Sequence, residues 1–422
     1  MTAASRPCGV PAAAVIFAAF AFAYFFSALL RAVTATLAPA FSAELGLTAG
    51  DLGLLAGAYF LGFAAMQLPL GSALDRWGPK RVLLAFMSVA VLACVAFALA
   101  RSFPGLLLSR TLIGVGVAAC LMAPLTSFRH RFSAPVQLRA NSWMLMTGSL
   151  GTLASTVPVQ VLLPLTGWRG LFWLLAGGLA LAMLAIALAV PRDEPPAAAP
   201  VPAPVPASAR GGYASIFAQP TFVRLLTLGF FVYGGLVAVQ SLWAGPWLTD
   251  VVGRSPAEAA RGLFAINLSM LFAFLGWGVV MPRLAARDWT AQRLIALGVP
   301  LSLVTLAELI VAGPRAGAAG WALWCVSCTF VSLAQPAVGQ AFDSARAGRA
   351  LSAYNLVIFG GVFCVQWGIG VLIDALVAAG WGRVGAFQAA FAVFAAASAA
   401  SCLWFLWYDD RAPVAQQAAP TR

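Results

Sequence analysis

The sequence predicts an all-α membrane protein, with twelve transmembrane helices arranged as two pseudo-symmetric six-helix bundles. Three observations carry that prediction. Of the 422 residues, 62% are hydrophobic and only 9% charged, which is far from the balance of a soluble domain. The apolar stretches are continuous runs of about 20 residues, long enough to cross a bilayer as helices. They do not alternate as the strands of a membrane barrel do. Short motifs also recur in order at a nearly constant offset, which marks a duplicated unit.

In the first half the predicted spans are 12–37, 51–73, 82–101, 104–127, 140–164 and 169–190. In the second they are 221–248, 259–282, 291–313, 319–342, 350–374 and 384–408. The first apolar stretch is too long for a signal peptide's core and carries Arg31 near its end, so it reads as a retained span. Residues 1–190 form the N-terminal bundle and 221–408 the C-terminal one. Between them, 191–220 is a Pro/Ala-rich linker whose prolines deny a helix and favour extended chain. Such a tether leaves slack between two bodies that rock. Residues 409–422 are a cytoplasmic tail.

The duplication is read from four matches. Arg139-Ala140-Asn141-Ser142 returns as Arg349-Ala350-Leu351-Ser352 at an offset of 210, and Pro124 as Pro336 at 212. Gly167-Trp168-Arg169 with Phe172 is echoed by Gly380-Trp381-Gly382-Arg383 with Phe387. The stretch from Gly278 to Arg287 stands where Gly71 to Arg81 stand in the first half. Parallel repeats of this kind put a ligand site near the bilayer midplane, between the halves.

A net charge of +12 invites a nucleic-acid reading, but the basic residues are scattered singly over short loops. A phosphate-tracking surface would gather them on one face. Seventeen of the 25 Lys and Arg fall on the side of the two termini and six on the other, while Arg31 and Arg110 lie within spans. By the positive-inside rule both termini are cytoplasmic. No nucleotide, metal or catalytic constellation is visible, so neither an enzyme nor a cofactor is expected. The cysteines show no framework spacing. Cys325-Val-Ser-Cys328 puts two soft ligands of a kind that suits monovalent copper on one helix face, although a Cys in an apolar run is otherwise an ordinary small hydrophobe.

Charge interrupts the apolar pattern most sharply at Gly71-Ser-Ala-Leu-Asp75-Arg76-Trp-Gly78-Pro-Lys80-Arg81. That order resembles the loop between the second and third helices of major facilitator superfamily transporters. Arg110-Thr-Leu-Ile-Gly114-Val-Gly116 likewise resembles that family's fourth-helix pattern, in which glycines let helices approach closely. The likeness covers nearly the whole chain apart from linker and tails. It implies a secondary active or facilitative transporter of a small organic solute, working by alternating access in a bacterial inner membrane. The implied partners are the bilayer, the solute and a coupling ion, with no nucleic acid, and the chain is expected to be a monomer. In the family the first motif is a latch. Asp75 would hold the cytoplasmic side shut, Arg76 and Arg81 would anchor the turn, and Gly71 and Gly78 would shape it. Arg139 joins this conformational set. Arg110 either bonds backbone carbonyls between helices or takes part in coupling.

Arg31 is the most informative single residue, since Tyr24, Ser27 and Arg31 share one helix face. If the first helix ends at Pro39, Arg31 lies about 10 Å from the outer end. The stretch from Tyr24 to Asp75 resembles organophosphate:phosphate antiporters, in which a first-helix arginine binds the substrate's phosphate. Here Leu236 and Val237 stand where a second, seventh-helix arginine is expected. One guanidinium holds one carboxylate or phosphate bidentately, so the reading is a small carboxylate-bearing anion. A structural or snorkelling Arg31 is the alternative.

On the seventh helix Tyr233, Gln240, Trp243 and Trp247 fall on one stripe, and Gly245-Pro246 offers a place to bend. The expected pocket residues are Tyr24, Arg31, Gln240, Trp243, Gln335 and Gln366. For each amide the alternative is an interhelical hydrogen bond. Glu308 is the candidate for proton coupling. Two other functions stay open. A multidrug or metabolite exporter of the same fold is one, although Gly148, Gly151 and Pro158 do not form the exporters' Gly-Pro-x-x-Gly-Gly pattern. A transporter-like solute sensor is the other.

Overall fold

The structure, a computed structural model, describes residues 10–191 and 213–408. Most of the predicted linker (192–212) and the predicted tail (409–422) lie outside the described residues.

The chain opens with α1 (Val10–Leu45), a single helix of 36 residues. Pro39, expected to end it, lies inside it. At 1.5 Å per residue, Arg31 is therefore about 21 Å from Leu45, twice the expected depth. A proline lacks the N–H that would bond the carbonyl four residues back, here Ala35. That freed carbonyl is covered by the other half. Gly245 approaches so closely that a Cβ there would lie 2.5 Å from the Ala35 oxygen.

The second span is α2 (Ala49–Ala65) followed by α3 (Gln67–Trp77), bent by 44° at the break. Thr48 and Asp51 form a reciprocal capping box that starts α2, satisfying two of the free N–H groups at a helix start. Gly78, at φ 80°, turns the chain into α4 (Pro79–Leu99), a conformation that a Cβ disfavours. The fourth span comprises α5 (Phe103–Val117) and α6 (Ala119–Arg131). It lies hard against α2, since a Cβ on Gly114 would sit 1.9 Å from the Tyr59 carbonyl oxygen. Then α7 (Ala134–Ala154) leads into α8 (Val157–Ala189), which turns at Gly167, φ 63°. The part of α8 before Gly167 continues the fifth span, and the part after it is the sixth.

In the second half, α9 (Tyr213–Phe217) occupies the end of the stretch read as linker, with Ile216 buried. The seventh span, Pro220–Val251, alternates α-helix with π-helical turns. Its α-helical parts are α10 (Pro220–Thr227), α11 (Gly234–Ala238) and α12 (Ala244–Pro246). The π turns are Leu228–Tyr233, Val239–Trp243 and Trp247–Val251. The remaining spans are α13 (Pro256–Ala285), α14 (Ala291–Ala312), α15 (Ala318–Cys328) with α16 (Ala334–Gln340), α17 (Ser344–Ala378) and α18 (Arg383–Trp407). Ten described helices are long and apolar enough to cross a membrane, or eleven with the bent second span. Dividing α8 at Gly167 brings the number to the twelve expected.

The duplication is visible in three dimensions. Glu44, at the end of the first span, pairs with Arg169 at the start of the sixth. Asp250, at the end of the seventh, pairs with Arg383 at the start of the twelfth at 2.6 Å. Both pairs lie on one face of the molecule, and on that face the halves meet tightly. Cβ atoms on Gly53 and Gly370 would lie 2.4 Å from the Gln366 oxygen and 2.3 Å from the Ala49 oxygen. At the rim, the N–H of Ala49 donates to Asp374 Oδ1 (3.0 Å) and that of Gly50 to Oδ2 (2.7 Å). A carboxylate at the end of α17 thus caps the N-terminus of α2, a favourable placement for negative charge.

Candidate functional site

Closure at one face leaves a cavity of about 650 Å³ between the halves, within the range of small-molecule sites. Its deep end reaches Arg31, Gln240 and Asn267. Arg31 is fourteen residues from Leu45, Gln240 eleven from Val251 and Asn267 eleven from Pro256, so the three stand at similar depth. Toward the opposite face the lining continues to Ser142, Gly278 and Gln335, each within a few turns of a helix end. The cavity is thus shut beneath the Leu45 face and runs toward the Asp75 face.

Tyr24, Ser27 and Arg31 all face this space, as their common helix face predicts. Tyr24, Tyr59 and Tyr233 surround the guanidinium within electrostatic reach. Among the described residues no Asp or Glu pairs with Arg31 or lines the cavity. Room for Tyr24 comes from Gly148, where a Cβ would lie 2.6 Å from the tyrosine ring. Gly151, one turn on, lies against the Phe25 carbonyl in the same way.

The C-terminal half presents amides. Gln240 donates to Asn267 Oδ1 at 2.7 Å, and Gln335 donates to Asn355 Oδ1 at 2.6 Å. All four residues line the cavity. Phe63 and Phe359, from opposite halves, meet edge to face at 4.6 Å in its wall. Asn355 and Phe359 escaped the sequence reading because nothing in a single apolar run says which face meets the other half.

Two expected pocket residues stand elsewhere. Trp243 is fully buried, and its Nε1 donates to the Gln366 carbonyl at 3.1 Å. Gln366, also fully buried, donates to the Ala238 carbonyl and to Ser241 Oγ. Together they clasp the seventh span to the eleventh, outside the cavity. The cause is the π turn at Val239–Trp243. A π turn takes more residues than an α turn, so the stripe through Tyr233 and Gln240 does not continue to Trp243 and Trp247. Trp247 is likewise buried, donating to the Ala316 carbonyl. Glu308 is exposed on the outer surface of α14 and does not face the cavity.

Arg110 is buried, where its Nη2 donates to the Leu30 carbonyl (2.9 Å) and to Thr34 Oγ1 (2.6 Å). Its guanidinium also lies over the Tyr59 ring at 5.1 Å. This is the backbone-bonding alternative of the two weighed for it. The Asp75 carboxylate is exposed and engages no described residue, and Arg139 is exposed as well. Arg76 stacks over Trp77. The turn is tied down by Lys80, which donates to the Ala187 and Val190 carbonyls, rather than by Arg76 and Arg81. Gly71 borders open space, whereas Gly78 is needed for its positive φ. Cys120, Cys325 and Cys328 are buried away from the cavity.

Two helical bundles clasped around a central cavity, built from this many long apolar helices, define a multi-pass membrane protein. The comparisons with known proteins agree. The sequence profile of the Major Facilitator Superfamily matches residues 20–365, and the chain belongs to that family. It is similar to a probable sulfoacetate transporter of Cupriavidus necator, 27% identical over 41% of this chain and 40% of that protein. It is also similar to the 3-(3-hydroxy-phenyl)propionate transporter of Escherichia coli K12, 29% identical over 61% of this chain and 60% of that one. These matches span less than two thirds of either relative. Among solved structures, a bacterial homolog of the human lysosomal transporter Spinster superposes with a TM-score of 0.76 at 16% identity. That match covers 94% of this chain and 97% of the other and speaks to the fold alone.

Proposed function

We propose that this protein moves a small carboxylate-bearing organic anion across a bacterial inner membrane by alternating access, with Arg31 as the anion anchor. The observation that carries the reading is Arg31 itself, a guanidinium at the deep end of the central cavity with no described carboxylate beside it. An arginine at membrane depth is costly unless partner, water or ligand meets its charge. A carboxylate bound bidentately meets it best. The substrates for which the two relatives are named, sulfoacetate and 3-(3-hydroxy-phenyl)propionate, are both organic anions and support the same class. So does the likeness of the first helix to organophosphate:phosphate antiporters.

With the basic loops inside, as the positive-inside rule requires, both termini and the Asp75 face are cytoplasmic. The conformation described is then open inward and closed outward. Asp75 latches the cytoplasmic side in the opposite state, which fits its exposure here. No described carboxylate lines the cavity, which favours exchange or facilitated movement over coupling through a cavity carboxylate. The transporter acts as a monomer.

The test is uptake into proteoliposomes holding the purified protein, across a panel of radiolabelled organic acids, sugars and cationic drugs. The reading expects one or more organic acids to enter and Arg31→Ala to stop them without loss of folded protein. Uptake confined to neutral or cationic solutes would refute it.

A further inference from the structure

The two halves do not present the same charge to the cavity. Tyr24 and Tyr233 are separated by 209 residues, and so are Arg31 and Gln240. All four line the one cavity. Gln240 stands at a depth similar to that of Arg31, in the other half of the cavity wall. The N-terminal half offers a guanidinium at this position and the C-terminal half a neutral amide.

That amide is held in place. Gln240 donates to Asn267 Oδ1, and Asn267 in turn donates to the Leu263 carbonyl. Gln335 and Asn355 add a second neutral pair in the same half. Arg31 is the only Lys, Arg, Asp or Glu among the described lining residues. Part of the lining is apolar and aromatic, with Phe63 and Phe359 in contact. Burying one charge against one partner is tolerable, but a second charge left facing amides and rings would be desolvated without compensation.

We propose that the cavity takes a singly charged acid whose far end is uncharged and hydrogen-bonding and whose body is apolar or aromatic. We further infer that Gln240 sets the limit of one charge. This rests on the reading of Arg31 as anion anchor. Gln240 excludes a second anionic group by offering a neutral amide where a second cation would be needed. Amides meet a neutral polar group, and the ring pair meets a flat apolar body.

The test uses three probes that share one skeleton and differ only at the far end: 4-carbamoylbenzoate (neutral, polar), 4-methylbenzoate (apolar) and terephthalate (a second charge). Their binding to the purified full-length protein is measured by titration calorimetry. Wild type should bind 4-carbamoylbenzoate tightest, severalfold over 4-methylbenzoate and at least tenfold over terephthalate. Gln240→Arg should reverse the first and last by tenfold or more, and Arg31→Ala should lose all three. The proposal is overturned if wild type binds terephthalate as tightly as 4-carbamoylbenzoate, or binds none of the three; neither result depends on a variant folding. An unchanged order in folded Gln240→Arg overturns it as well. Undiminished binding by Arg31→Ala instead removes the anion anchor itself, and this proposal with it.

Discussion

Asp374 offers the sharpest handle on the proposed alternating access. Its carboxylate accepts from the N–H groups of Ala49 and Gly50, at 3.0 and 2.7 Å, bridging the two halves on their closed face. Asp374→Ala removes both bonds and the charge at the start of α2. A carboxylate at a partly buried helix N-terminus contributes about 1–2 kcal/mol, which corresponds to a roughly 5- to 30-fold shift in an equilibrium. That contribution exists only while this face is closed, so its loss should move the population toward the opposite state. Arg101 and Arg315 are exposed in loops of opposite halves on this face. Spin labels there, in a background without native cysteines, report the separation by double electron–electron resonance. The variant should populate a longer distance that is minor in wild type. If the distribution is unchanged in the folded variant, the carboxylate is not part of the closure, and glycine packing alone holds this face.

Other consequences follow from single contacts. Gly114→Val should destabilise the protein by about 1–3 kcal/mol or more, because even a Cβ at this position meets the Tyr59 carbonyl at 1.9 Å; thermal unfolding in detergent reads it. Gln366→Leu should cost only the interhelical bonds, about 0.6 kcal/mol each, and leave anion affinity unchanged. A tenfold loss of affinity would return Gln366 to the site. Asp75→Asn should slow transport severalfold while binding affinity holds, since the proposed latch acts in turnover; equal transport rates would remove that role.

Much of the architecture was legible because bilayer physics leaves few options for apolar runs of this length. Arg31 and Tyr24 were legible as cavity residues because one uninterrupted α-helix keeps spacings of three and four on one face. The same logic failed on the seventh span, where the π turn at Val239–Trp243 breaks the period and carries Trp243 into the core. Pro39 misled in the same way. Its freed Ala35 carbonyl is covered by Gly245, 210 residues away in sequence, so a local signal for a helix end was overruled by contact between halves. Asp374 carried a hint of its own. A carboxylate in the last turns of a helix opposes the macrodipole and needs a donor from elsewhere, but only the fold identifies that donor as the start of α2.

On the proposed function, Arg31 holds the carboxylate of the transported anion. Calorimetric titration of wild type, Arg31→Lys and Arg31→Ala with an organic acid that the wild type takes up tests it most directly, with thermal unfolding recorded alongside. Truncating one partner of a buried charge pair costs 2–5 kcal/mol. The alanine variant should therefore bind at least about 25-fold more weakly at nearly unchanged melting temperature, and the lysine variant should fall between. Affinity in folded Arg31→Ala within twofold of wild type would contradict the claim.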